Sequence, residues 1–311
     1  MYNMEEKAIV SRHVYAYSPA LCAQELAALH AAHPEETELA CIGTSCLGQP
    51  IYALKLGNFH ANRRVLVQAS MHGREWINSQ LTMAQIEDYL TQPQYAGMLS
   101  GACLLFVPMI NPDGVRIAQQ GADWIADPDA RALVERLQRQ SGQPFDQWKS
   151  NGRGVDLNRN FDANWDTHYD PREIAGPAYS AYRGTAPESE PESQALLQLT
   201  REFQPTVTLS YHSRGEYVYW YFYQQGDALS RDEALALQLA ALSGYDCTPR
   251  DRVNVDSCGG YKDWCVQKLG IPAFTIENGA DDWGIPVPEG RFDEVYQRAK
   301  ELTAEAARWD V

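Results

Sequence analysis

Positive charge is scarce in this chain. Its 311 residues carry 26 Lys and Arg against 41 Asp and Glu, a formal net charge of -15. That balance argues against a general grip on nucleic acid. No apolar run approaches the roughly 20 residues that a membrane span needs. The opening Met1-Tyr2-Asn3-Met4-Glu5-Glu6-Lys7 lacks the apolar segment of a secretory signal. The expectation is a cytoplasmic protein that engages neither membrane nor nucleic acid. Cysteine is sparse too. Cys22, Cys41, Cys46, Cys103, Cys247, Cys258 and Cys265 are odd in number, and Cys41 and Cys46 lack the CxxC pairing of a zinc ribbon. They read as reduced, mostly buried thiols of a reducing compartment. Internal repeats, low-complexity tracts and domain-splitting linkers are missing as well. What remains is 44% hydrophobic sequence, ample for one core. We expect one domain over residues 1–311, with 1–14 as an N-terminal extension; the oligomeric state stays open.

Ser18-Pro19 predicts a helix start, with Ser18 as cap and Pro34 as stop. Two strands around Leu39–Gly43 and Ile51–Leu56, joined through Gly48-Gln49-Pro50, read as a hairpin. The run Arg64–Ala69 is short, β-branched and almost continuously apolar, the pattern of a buried strand. A helix over Trp76–Leu90 and a second buried strand over Cys103–Met109 follow, the latter ending in turn residues Asn111-Pro112-Asp113-Gly114. Further helices are predicted over Asp129–Arg139, Pro191–Phe203, Arg231–Leu242, Tyr261–Leu269 and Glu289–Trp309. Further strands are predicted over Thr206–Tyr211, Tyr217–Tyr223 and Ala273–Ile276, and a loop over Ser141–Gly154. Alternating strands and helices predict an α/β fold. Its sheet should be mixed parallel and antiparallel, twisted, and covered by helices on both faces.

Past the strand that ends at Ala69 comes Ser70-Met71-His72-Gly73-Arg74-Glu75. His72 and Glu75 are spaced HxxE just beyond a C-terminal strand end, where open α/β sheets form their ligand sites. His212 follows another apolar strand. Two imidazoles and a carboxylate make the His2Glu donor set of a catalytic zinc site, with a fourth position open. His13, His30, His33, His60 and His168 sit in helical or turn contexts and read as surface residues. Glu277 ends the strand Ala273–Ile276, where a carboxylate is either solvated or used; beside a zinc water it is a natural general base. In Asp156-Leu157-Asn158-Arg159-Asn160, Asp156 suits the free N–H of a metal-bound imidazole, and Arg159 suits two-pronged binding of a carboxylate.

In order, these motifs are His72-Gly73-Arg74-Glu75, Asn111-Pro112-Asp113-Gly114, Asp156-Leu157-Asn158-Arg159-Asn160, Tyr211-His212-Ser213 and Phe274-Thr275-Ile276-Glu277. On them the chain resembles the zinc carboxypeptidase family over almost its whole length. Trp148-Lys149-Ser150-Asn151, Gly154-Val155-Asp156 and Gly260-Tyr261-Lys262-Asp263-Trp264 look most like the bacterial members that cut γ-D-glutamyl–diamino acid bonds in peptidoglycan peptides. The resemblance implies one zinc ion per chain on His72, Glu75 and His212, with Glu277 as base and then acid. It implies substrate contact by Arg74, a terminal carboxylate held by Asn158 and Arg159, and Asp156 orienting His72.

The chain departs from the family at two places. The position of the oxyanion-stabilising arginine aligns with Lys149, which keeps the charge but loses the planar fork; Arg153 is the reserve candidate. The position of the substrate-capping tyrosine aligns with Val255, leaving Tyr261 or no tyrosine for that role. Lys262 aligns with the base of the side-chain pocket, where it should attract an anion such as the distal carboxylate of meso-diaminopimelate. The expected activity is hydrolysis of peptide bonds, in particular γ-D-glutamyl–diamino acid bonds. Release of ordinary C-terminal residues, deacylation of N-acyl amino acids on a related zinc site, and non-catalytic peptide binding are the alternatives.

Overall fold

Chemistry-bearing residues in this molecule sit where parallel strands end. The computed structural model describes residues 8–166, 172–252 and 258–311. Residues 1–7, His168 and Val255, on which expectations were placed above, lie outside the described residues.

Helix α1 (Pro19–Ala32) begins under the Ser18 hydroxyl, which accepts the Leu21 N–H at 3.2 Å. Strands β1 (Thr37–Thr44) and β2 (Pro50–Gly57) pair antiparallel as the expected hairpin. Then come β3 (Arg63–Ala69), α2 (Ile77–Thr91), α3 (Ala96–Gly101), β4 (Ala102–Val107), α4 (Pro112–Gln120) and α5 (Pro128–Ser141). The second half holds α6 (Pro191–Phe203), β5 (Val207–His212), β6 (Tyr217–Tyr219), α7 (Gly226–Ser243) and β7 (Asp246–Cys247). It closes with α8 (Tyr261–Trp264), β8 (Ala273–Glu277), α9 (Phe292–Ala299) and α10 (Leu302–Ala306).

Among the described residues the strands form one sheet in the order β1-β2-β4-β3-β5-β8-β6-β7. Its centre, β4-β3-β5-β8, is parallel throughout, while β1, β2 and β6 join antiparallel. Alternation along each central strand splits the core in two. Val65, Val67, Leu104, Phe106, Leu209 and Ile276 pack against α1, α2, α7, α9 and α10. Leu66, Cys103, Leu105 and Ala273 face the other way, against α6 and α8. Both faces being dry explains why the central strands read as continuous apolar runs. The structure is thus the expected single α/β domain with a mixed sheet covered on both faces. No helix among the described residues is long and apolar enough to cross a membrane.

Several expected elements are redrawn. Asn111-Pro112-Asp113-Gly114 opens α4 rather than a turn: the Asn111 side chain caps it by accepting the Gly114 N–H at 2.9 Å, and Pro112 fills the first helical position. The strand expected to reach Met109 stops at Val107. The aromatic strand stops at Tyr219 because Trp220 and Phe222 turn into the core. The Gln224 amide takes over their backbone partners, accepting from Phe222 N at 2.5 Å and donating to the Trp220 carbonyl at 3.0 Å. The last long helix is broken between α9 and α10. There the Ala299 and Lys300 carbonyls are bound by Gln85 Nε2 at 2.9 Å and the Tyr89 hydroxyl at 2.8 Å.

Candidate metal centre and catalytic cavity

The chain leaves β3 through a sharp turn. Ser70 has φ 51, a left-handed conformation unusual for a residue with a Cβ. Its hydroxyl is held 2.6 Å from Ser79 Oγ and 3.2 Å from the Glu75 carbonyl, which fixes the loop onto α2. Gly73 allows the loop to touch α4, since any Cβ there would overlap the Gly114 carbonyl. The Gly73 N–H donates to the Lys149 carbonyl at 3.0 Å, and Asn111 Nδ2 donates to the Met71 carbonyl at 2.9 Å. The two glycine-bearing motifs of the sequence are therefore one contact, and it sets where His72 and Glu75 point.

His72 Nδ1 lies 2.8 Å from Glu75 Oε1, His212 Nδ1 lies 3.1 Å from Glu75 Oε2, and the two Nδ1 atoms are 3.2 Å apart. All three side chains are buried, and their donor atoms lie within 4.8 Å of one another. Two imidazole nitrogens and a carboxylate oxygen thus converge on one point. One cation between them resolves the geometry. Ligands about 2.0–2.1 Å from a tetrahedral zinc stand roughly 3.3 Å apart, close to the separations found here. The donor set, two nitrogens and a carboxylate, is zinc chemistry, and His72, Glu75 and His212 make the zinc site. Burial alone would raise the Glu75 carboxyl. The adjacent His72 and His212 outweigh it and hold the group well below the usual carboxylate range.

Asp156 sits behind this centre. Its Oδ1 accepts from His72 Nε2 at 3.1 Å, which leaves the Nδ1 lone pair of His72 to point at the centre. Its Oδ2 accepts the Ala181 N–H at 3.1 Å and lies 3.9 Å from Lys149 Nζ and 3.7 Å from Arg159 Nε. Burial would push Asp156 up, but Lys149, His72 and Arg159 hold it well below its ordinary value. Glu277 closes β8 directly opposite His212 in the strand register. Burial raises its carboxyl to about 7, with Glu75 adding to the rise and His212, Lys149 and Arg74 opposing it.

A cavity of about 340 Å³ opens from the centre, and His72, Lys149, Asp156, Asn158, Arg159, Lys262 and Glu277 line it. Sequence separations of up to two hundred residues are closed here by the sheet. Lys262 is buried, with Nζ 3.0 Å from the Tyr221 carbonyl and 2.5 Å from Asp263 Oδ1. Arg74 does not line the cavity, although its charge reaches Glu277. Arg153 also stays outside: its guanidinium is half-exposed and 3.7 Å from Glu190 Oε2. Tyr261, offered as a substrate residue, belongs to the core instead. Its ring packs between Phe161 and Trp264, and its hydroxyl is 2.7 Å from Thr200 Oγ1. Only its backbone serves the site, donating to Asn158 Oδ1 at 3.2 Å.

Seven further wall residues, Tyr219, Phe222, Thr275, Arg172, Arg252, Gly260 and Asp263, were not among the expected site residues. Asp263 and Tyr219 stood within motifs already noted. Arg172 and Arg252 lie in connections whose local sequence carries no such signal. Among the described residues a second donor cluster, Cys46, Asp113 and Glu192, has a structural use. Its carboxylates accept the N–H groups of Cys46 and Leu47 at 2.9 and 2.8 Å, stapling the β1–β2 turn to α6 and α4.

The comparisons with known proteins agree with this geometry. The gamma-D-glutamyl-L-diamino acid endopeptidase 1 of Lysinibacillus sphaericus is 34% identical over 269 residues, covering 83% of this chain and 64% of that protein. The Bacillus subtilis protein YqgT is 31% identical over 264 residues, covering 82% of this chain and 68% of its own length. The chain thus spans about two thirds of these relatives. The solved structure of thrombin activatable fibrinolysis inhibitor shares the fold, with a TM-score of 0.77 at 21% identity over 97% of this chain and 77% of that one. The zinc carboxypeptidase family model matches residues 22–302, and with that match spanning the sheet and every metal donor, this chain belongs to the zinc carboxypeptidase family.

Proposed function

We propose that the chain hydrolyses the bond between a γ-linked D-glutamate and a diamino acid in short peptidoglycan-derived peptides. The observation that carries the reading is the buried Lys262–Asp263 pair in the cavity wall. A pocket for apolar side chains would not hold a desolvated ion pair, which is costly unless it is used. The far end of meso-diaminopimelate carries a carboxylate and an ammonium, and an ammonium–carboxylate pair offers each its complement. The activity in the name of the Lysinibacillus sphaericus relative supports the same choice.

Bound zinc would supply an acidified water and a polarised scissile carbonyl. The chain's own residues do the rest. Glu277, closing β8 opposite His212, takes the proton of the attacking water and returns it to the leaving amine. Asn158 and Arg159 hold the terminal carboxylate of the leaving residue, while Arg74, outside the cavity wall, acts on Glu277 through its charge. Lys149 steadies the developing oxyanion, since it lines the cavity where Arg153 does not. Lys149→Met is therefore expected to lower kcat and kcat/KM together by about 100-fold, the scale of a lost oxyanion donor. Arg153→Met should leave both close to wild type. Steady-state kinetics on one peptide reads the difference, and the reverse pattern would move the role to Arg153.

The substrate is tested with matched peptides ending in γ-D-Glu–meso-diaminopimelate or γ-D-Glu–L-Lys, the cleaved bond being identified by mass spectrometry. The first should be preferred, and Lys262→Ala should shrink the preference by about 1–3 kcal/mol, the scale of a hydrogen bond to a charged group. Thermal unfolding of that variant checks the fold, because Asp263 loses its partner. Rapid release of ordinary α-linked C-terminal residues, with γ-D-glutamyl bonds untouched, would leave a general carboxypeptidase.

A further inference from the structure

Lys149 and Asp156 stand at the two ends of one short loop, and Asn151 closes it. Its backbone N–H donates to the Val155 carbonyl at 2.8 Å, and its carbonyl accepts the Gly154 N–H at 3.1 Å. Its side-chain Oδ1 accepts the N–H groups of Arg153 and Val155, each at 3.0 Å. One asparagine therefore fixes the path of the chain from Lys149 to Asp156.

The other end of the same amide reaches out of the loop. Nδ2 donates to Glu190 Oε2 at 2.8 Å and to Glu192 Oε2 at 3.2 Å. Glu190 directly precedes α6 and Glu192 lies in its first turn, where the helix dipole favours negative charge. Both carboxylates are fixed in turn. Glu190 Oε1 accepts the Ser189 hydroxyl at 2.8 Å, and Glu192 Oε1 accepts the Cys46 N–H at 2.9 Å. Asn151, Glu190 and Glu192 are all buried, so these charge-assisted bonds form at low dielectric, where they are strong. Turned over, the amide would set its oxygen against two carboxylates and its NH2 against two N–H donors. The contact thus admits one orientation.

Both ends of the loop touch the metal centre. Asp156 Oδ1 accepts from His72 Nε2, and the Lys149 carbonyl accepts the Gly73 N–H of the turn that carries His72. The tip of Lys149 is held loosely, 3.9 Å from Asp156 Oδ2, so the backbone beneath it decides where Nζ falls in the cavity. We propose that Asn151 is a positioning residue: by tying the 149–156 loop to Glu190 and Glu192 at the start of α6, it places Lys149 and Asp156 relative to the zinc donors. The Lys149 half of this inference rests on the oxyanion role given to that residue above; the Asp156 half does not.

Asn151→Asp tests it. The substitution keeps the size and the two bonds accepted from the loop N–H groups, but turns an oxygen toward Glu190 and Glu192. With zinc saturating and the temperature well below the unfolding midpoint, kcat should fall by about 10- to 100-fold with little change in KM, the scale of a catalytic group displaced by about 1 Å. Zinc affinity, read by equilibrium dialysis without turnover, should fall by about 10-fold, because the outer partner of His72 is disturbed. In a Lys149→Met background the same substitution should cost kcat no more than about twofold, since the group it places is gone. Adding Glu192→Gln returns an N–H donor to the contact and should restore part of both losses. If Asn151→Asp does not fold, Asn151→Ser, whose hydroxyl is too short to span both contacts, carries the same readouts. A lower unfolding midpoint with kcat, KM and zinc affinity unchanged would overturn the proposal and leave Asn151 a fold residue only. A kcat loss that persists in full without Lys149, beside unchanged zinc affinity, would overturn it as well. If Lys149→Met alone leaves kcat unchanged, the oxyanion reading falls, and zinc affinity by itself then decides for or against Asn151.

Discussion

Glu277→Gln is expected to keep the zinc and the fold while kcat falls by about 10²- to 10⁴-fold, the range supplied by a positioned general base. An amide fills the same space at the end of β8 but cannot accept the proton of a water. The position itself is tolerant of the change. Burial already pushes the Glu277 carboxyl up to about 7, so the neutral form costs the folded protein little. The sign follows from the same shift. A buried acid whose folded pKa lies above its unfolded value opposes folding once pH rises past the unfolded value, because folding then requires either proton uptake or a buried charge. In the zinc-free protein the glutamine should therefore be neutral to slightly stabilising at pH 7. Elemental analysis, thermal unfolding and steady-state kinetics on one preparation separate the three quantities. A variant with near-normal kcat would remove Glu277 from the proton transfer.

The metal centre was legible in the sequence because its parts are tied to features that local sequence fixes. His72, His212 and Glu277 each follow a short apolar strand, and parallel strands of one sheet bring their C-terminal ends together. HxxE adds a second ligand within one loop. What local sequence did not carry was decided by contacts far along the chain. Asn111-Pro112-Asp113-Gly114 holds turn residues, yet the same asparagine and proline cap and start α4. The almost continuous aromatic run over 217–223 resembles a strand, but two of its residues are needed in the core and the strand ends at Tyr219. The break between α9 and α10 is set by side chains of α2, some two hundred residues earlier. Tyr261 stands beside a cavity residue, and its hydroxyl still belongs to Thr200 on α6. Arg172 and Arg252 sit in connections, where no periodicity says which way a side chain points.

His72→Ala should abolish both zinc retention and activity, and the structure says why the loss is of metal and not of fold. His72 gives Nδ1 to the centre and Nε2 to Asp156. Its removal leaves Glu75 and His212 as donors, too few for the tetrahedral site of an ion that needs three protein ligands and one open position. Asp156 stays near Lys149 and Arg159 and keeps the Ala181 N–H, so its buried charge is not stranded. The remaining structural cost is one charge-assisted hydrogen bond and a small cavity, about 2–4 kcal/mol together. After dialysis the wild type should hold about one zinc per chain and the variant well under a tenth of that, with no activity regained on adding zinc. Asp156→Asn makes the finer comparison. All three donors remain, but the amide no longer supplies the charge that orients and strengthens His72, and zinc affinity should fall by about 10- to 100-fold. Excess zinc should restore occupancy in Asp156→Asn and fail to do so in His72→Ala. Stoichiometric zinc in the His72 variant by elemental analysis would exclude His72 as a ligand. Unchanged affinity in the Asp156 variant would confine Asp156 to holding Lys149 and Arg159 in the cavity wall.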